Sequence, residues 1–201
     1  FSNNIIFLSV IGLSVFWGVS QGLMAVFPSF AKEYLGVTDV FVINAVIGAS
    51  GIGIAIGSLI YSKISKHYIE IGTIPFSALG MALMIYVSTI VQTPFLLGMS
   101  FLVFGIFGGL FVVPLNALIQ FNAKKKVLGT ILAGNNWFHS LAMFLMLALT
   151  TTVSYYDLDP LNTLYLILLI TVIGTSYTIY KLPQSLILLF LKRIVGLKYQ
   201  L

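Results

Sequence analysis

Apolar residues fall in six long stretches separated by short polar or charged breaks: about Asn4–Ala31, Asp39–Ser62, Glu70–Val91, Pro94–Gln120, Val127–Ser154 and Pro160–Lys181. A helix needs roughly 20 apolar residues to cross about 30 Å of hydrocarbon, and each stretch has that length. Helix is the economical conformation there, because every backbone N–H and C=O is satisfied within the segment. Start signals agree with these bounds. Thr93-Pro94 and Asp159-Pro160 pair an N-cap with a proline at the first helical position, and Thr38 or Asp39 can cap the second helix. The pattern predicts an all-α integral membrane bundle of six helices over residues 1–182.

After the sixth stretch, Pro183 can open a further helix, but the run Leu186–Leu191 is too short to span, and Lys192 and Arg193 would face lipid phosphates. Residues 183–201 are therefore expected to form an interfacial helix on the cytoplasmic leaflet or the start of a linker. The chain opens at Phe1 without an initiator Met or a charged leader, which reads as a piece of a longer protein with no visible cleavable signal.

Composition supports the membrane reading. The 201 residues are 59% hydrophobic and 7% charged, whereas a soluble domain carries about 25% charged residues to cover its surface. A net charge of +5 could point to nucleic acid, but its distribution argues for membrane orientation. Lys63, Lys66, Lys124, Lys125, Lys126, Lys181, Lys192, Arg193 and Lys198 all follow even-numbered helices, and only Lys32 lies on the other side, beside Glu33, Asp39, Asp157 and Asp159. The positive-inside rule then puts both ends of this segment in the cytoplasm.

Six helices divide into two triples that echo one another. The first helix of each is long, glycine-rich and carries one proline, Pro28 near its outer end and Pro114 near its inner end. Opposite ends is what an inverted repeat requires. Gly18 and Gly22, Gly53 and Gly57, and Gly105 and Gly109 put small residues one turn apart, where helix backbones can approach closely. Inverted triples, short loops and proline-interrupted helices are marks of secondary transporters.

The chemistry lies in uncharged polar residues within spans. On helix 1, Ser14, Trp17, Gln21 and Met24 share a face, with Trp17 near mid-span, away from the interfacial belt. Trp17 and Gln21 either pack and bond to a neighbouring helix or line a cavity. On helix 4, Asn116 and Gln120 sit one turn apart beyond Pro114, whose missing N–H frees a carbonyl one turn back. Asn116 satisfying that disruption is the simpler reading, and Gln120 lies at headgroup level. On helix 5, Asn135, Asn136, His139 and Ser140 form two overlapping i, i+4 pairs. A single buried histidine is usually a bonded core residue. Four polar side chains within six residues cost several kcal/mol unless paired or wetted, so this cluster is expected to face a hydrated cavity. Lys124, Lys125 and Lys126 set topology first, and could attract lipid phosphates second.

Other chemistries are excluded. No cysteine is present, and His67 and His139 have no carboxylate or histidine at ligand spacing, so no metal or other cofactor is expected. No nucleophile–base–acid set or phosphate-cradling loop occurs, so this segment is not expected to be an enzyme. No Asp or Glu lies within a span, which leaves His139 as the one titratable candidate for coupling, its unperturbed pKa being about 6.5.

GGLFVVPLNALIQ (108–120), the basic loop after it, and LGTILAGNNWFHSLAMF (128–144) resemble the C-terminal half of bacterial lysophospholipid transporters, the LplT type of the major facilitator superfamily. SVFWG (14–18) and the glycine spacing of GIGIAIGSLIYSKISK (51–66) fit the same family, although the latter lacks the acidic residue of the superfamily's basic-loop motif. The resemblance implies half of a twelve-helix fold, partnered by an N-terminal half. It also implies a flippase moving lysophosphatidylethanolamine and lysophosphatidylglycerol across the bacterial inner membrane for re-acylation. An acyltransferase or acyl-carrier-protein synthetase, fused or separate, would follow it. Pro114, Asn116 and Gln120 match the family's helix 4 motif and Asn136 its helix 5 asparagine. His139 and Ser140 stand where some relatives are expected to carry an acidic and an amide residue.

The residues suit such a substrate. Trp17, Gln21, Asn135 and Asn136 offer uncharged hydrogen-bond partners for a headgroup, and Met143 and Met146 an apolar wall for one acyl chain. Two alternatives remain: a carrier of another amphiphile or drug, and an anchor for an acyltransferase without transport of its own.

Overall fold

The structure, a computed structural model, describes residues 4–65 and 69–181. Among these are six α-helices: α1 (Asn4–Leu35), α2 (Val40–Ile64), α3 (Thr73–Ile90), α4 (Pro94–Asn122), α5 (Leu128–Tyr155) and α6 (Pro160–Lys181). A 3-10 turn at Lys125–Val127 joins α4 to α5, and no strand occurs among the described residues. All six helices are long and apolar enough to cross a membrane. The interfacial helix expected at 183–201 lies outside the described residues, as do Lys66 and His67.

The caps read from sequence are in place. The Asp39 carboxylate accepts from the Phe41 N–H at 2.8 Å and that of Asp159 from the Leu161 N–H at 2.7 Å. Thr93 accepts from Leu96 N–H, with Pro94 opening α4. α1 runs one turn past Ala31 and stops at Gly36, whose φ of +64° lets the Val37 N–H reach the Ala31 carbonyl at 3.0 Å. Glycine takes that left-handed conformation without a Cβ clash, and the bond satisfies a terminal carbonyl.

α1 packs on α5 and α6, α4 packs on α2 and α3, and α1 meets α4 while α3 meets α6. Exchanging α1 with α4, α2 with α5 and α3 with α6 returns the same principal pairs. The buried faces carry the same relation. Val46, Ser50, Gly57 and Tyr61 on α2 precede Asn135, His139, Met146 and Thr150 on α5 by a constant offset of 89 (135 − 46). Thr73, Ile74, Ser77, Met81, Ile85 and Ser88 on α3 precede Thr163, Leu164, Ile167, Thr171, Thr175 and Thr178 on α6 by 90 (163 − 73). The echo in the sequence is thus an echo of packing, and three crossings apart the two triples run in opposite senses.

The two equivalent seams differ in closeness. Along α2–α4, a methyl built on Gly53, Gly57, Gly105 or Gly109 would overlap the facing backbone carbonyl, of Leu102, Ile106, Ser50 and Ile54 respectively. These helices touch backbone to backbone. Along α1–α5, a methyl on Gly18 would stand 3.3 Å from the Ala142 carbonyl oxygen, and the place facing Gly22 is taken by the Met146 side chain. That seam is spaced by side chains, and there the polar residues lie.

Candidate functional site

The α5 cluster is divided by the helix surface. Asn135 and His139, one turn apart, are buried against α1, at the positions that Val46 and Ser50 hold in the equivalent α2. Asn136 and Ser140 are exposed on the next face, where the Ser140 hydroxyl donates to the Asn136 carbonyl at 3.0 Å. The expectation that all four face one cavity is therefore refined: two enter the helix seam and two stand outside it. The reason is the helical period, since adjacent residues sit about 100° apart.

Trp17 of α1 reaches this seam. Its ring centroid lies 6.4 Å from that of His139 at 37°, and its other neighbour is Phe16, edge-on at 5.3 Å. The Asn135 Oδ1 and His139 Nε2 atoms are fully buried without a hydrogen-bond partner. Each such atom costs about 1–3 kcal/mol, so the seam is short of two hydrogen bonds that a bound molecule or water can make. Gln21 is half-buried one turn beyond Trp17. The Ser14 hydroxyl is taken up by the Val10 carbonyl at 2.8 Å.

The α4 residues sit apart. Asn116 is half-buried and its Nδ2 donates to the Val112 carbonyl at 3.1 Å, which spends part of the amide on its own helix. Gln120 is exposed near the end of α4, and Lys124, Lys125 and Lys126 are exposed around the 3-10 turn. α4 packs on α1, α2 and α3, so α1 stands between these residues and the α5 cluster.

Two hollows flank α1. One, of about 360 Å³, is walled almost wholly by apolar groups, among them Phe7, Ile11, Phe138, Leu145, Leu149 and Ile170. The other, of about 520 Å³, lies at the opposite end of the helices and is rich in hydroxyls: Ser29, Thr150, Thr151, Ser154 and Thr163. The sequence reading passed over this second hollow. Its signal was the run TTTVS (150–154), unremarkable because helix hydroxyls commonly bond back to their own turn. Among the described residues, no group of acidic, histidine or cysteine side chains is placed to hold a metal ion.

Fold and site together define a polytopic helical membrane protein with an uncharged polar seam between α1 and α5. Comparison with curated proteins narrows the class. The chain is 33% identical over 147 residues to the lysophospholipid transporter LplT of Serratia proteamaculans (strain 568), a match covering 70% of this chain and 35% of that protein. It is 32% identical over 151 residues to that of Yersinia enterocolitica (72% and 36%) and 29% identical over 150 residues to that of Photorhabdus laumondii (72% and 36%). The LplT-type transporters are therefore homologues of this chain, as the helix 4 and helix 5 motifs implied. The chain spans about a third of the length of the curated relatives it matches. No family profile matches it, and no solved structure does.

Proposed function

We propose that this chain is the C-terminal six-helix half of a major-facilitator-type carrier that moves lysophospholipids across the bacterial inner membrane. Residues 1–182 belong to the transporter half. Both ends of the segment are cytoplasmic, because nine of ten cations follow even-numbered helices. Transport runs toward the cytoplasmic leaflet, where an acyltransferase, fused or separate, restores the second chain. The homologues' name and the paired inverted triples support this reading. The observation that carries it is the α1–α5 seam, where Trp17 meets His139 beside two buried, unpartnered polar atoms. A purely structural span gains nothing from that arrangement, whereas a headgroup passing the seam supplies the missing partners. Asn136, exposed beside the seam, and half-buried Gln21 offer further uncharged hydrogen-bond partners.

The test is uptake of acyl-labelled lysophosphatidylethanolamine by the full-length protein in liposomes. Trp17→Ala and Asn136→Ala are expected to slow uptake roughly tenfold at equal protein amounts, the loss of about 1.4 kcal/mol of contact. Unchanged uptake in both variants removes these residues from the path.

A further inference from the structure

The hydroxyl-rich hollow lies apart from the Trp17–His139 seam. It is bounded by the last turns of α5, the start of α6 and α1 around Ser29, at the end of the bundle that carries Asp157 and Asp159. None of its lining residues is charged. Thr150 and Thr163 are both about 96% buried, at 4% exposure each. The Thr150 hydroxyl stands 3.0 Å from the carbonyls of Met146 and Leu147, and the Thr163 hydroxyl 3.4 Å from that of Asp159. Their protons are spent on the helix, so what they turn to the hollow is oxygen lone pairs. Val26, Leu147 and Leu158 supply apolar wall. Thr150 and Thr163 thus ask for a neutral hydrogen-bond donor, set beside this apolar wall at the depth of the last turns of a membrane span.

A monoacyl glycerophospholipid has such a group, the free hydroxyl of its glycerol beside the acyl ester. A diacyl lipid has an ester in its place, which brings only acceptors, and a second chain that the 520 Å³ must also hold. We propose that this hollow reads the free glycerol hydroxyl, with Thr150 accepting from it and Ser154 and Thr151 completing its hydrogen bonds. It is a specificity site that tells monoacyl from diacyl lipid before the headgroup reaches the Trp17–His139 seam. The proposal rests on the lysolipid reading given above and adds a second, separate place on the path.

The experiment compares acyl-labelled lysophosphatidylethanolamine with its propanediol analogue, identical but lacking the glycerol hydroxyl, using the full-length protein in liposomes. The wild type should move the hydroxyl form about fivefold faster, the worth of one net hydrogen bond. Thr150→Val, which keeps shape and removes the acceptor, should bring that ratio toward one. Ser154→Ala, on the exposed last turn, provides an independent variant should Thr150→Val accumulate poorly. A ratio near one in the wild type, or a preserved ratio in both variants, overturns the hydroxyl-reading site while the lysolipid reading stands. Failure of the wild type to move either lipid overturns both.

Discussion

Gly105→Ala is the sharpest test of the α2–α4 packing. A methyl on Gly105 would overlap the Ser50 carbonyl oxygen and stand 2.9 Å from its carbon and 3.0 Å from Gly53 Cα. Carbon atoms pack best at about 3.5–4.0 Å, and the overlap with the Ser50 oxygen is closer still, so α2 and α4 must part by about an ångström or more along a backbone-to-backbone seam. Overpacking of this kind costs about 1–3 kcal/mol. Replacing glycine by alanine returns about 0.4–1 kcal/mol by restricting the unfolded chain. The net expectation is a loss of about 1–2 kcal/mol, roughly a five- to thirtyfold change in the folded-to-unfolded ratio. Gly98→Ala, on the same helix, meets only Val46 Cγ2 at 3.9 Å and should be neutral or slightly stabilising. Gly18→Ala, 3.3 Å from the Ala142 carbonyl oxygen in the looser seam, should fall near neutral. Far-UV circular dichroism of the purified protein, titrated with sodium dodecyl sulfate in mild-detergent micelles, gives the three stabilities on one scale. The reasoning is refuted if Gly105→Ala is as stable as Gly98→Ala, or if Gly18→Ala is as damaging as Gly105→Ala.

Two further outcomes follow from the seam and the charges. Changing Asn135 and His139 together to Leu removes two buried atoms without partners, so the same titration should show stability held or raised by about 1–3 kcal/mol while lysolipid uptake falls. Destabilisation instead would mean that these side chains serve the fold. Converting Lys124, Lys125 and Lys126 to Gln leaves Lys63 and Lys181 at the same end, so orientation should persist. The chain has no cysteine, and membrane-impermeant labelling of a single cysteine placed beside Asp157 should therefore still report the outer face.

The outline of the fold was legible because hydrocarbon imposes it. A bilayer fixes span length and forbids unsatisfied backbone, so six apolar runs, three cap signals and a one-sided distribution of lysines suffice to place six helices. The exchange relation between triples was also visible in outline, through Pro28, Pro114 and paired glycines. Its detail was not, since the offsets of 89 and 90 relate buried positions, and burial is a property of neighbours. The homology to LplT-type transporters was legible in the motifs of helices 4 and 5.

Sequence alone also determined which residues are chemically out of place in a span: Asn116, Asn135, Asn136, His139 and Trp17. Only the tertiary structure decided their separate circumstances. Asn116 is spent on Val112 of its own helix, Asn135 and His139 are sealed against α1, and Asn136 and Ser140 stand outside that seam. The glycine spacing read alike on α1, α2 and α4, yet only α2 and α4 close to backbone contact, because Met146 keeps α5 away from Gly22. Spacing along one helix fixes which residues share a face. What that face meets is fixed by the side chains of another helix, and neither a run of hydroxyls nor a pair of glycines carries that partner in its own sequence.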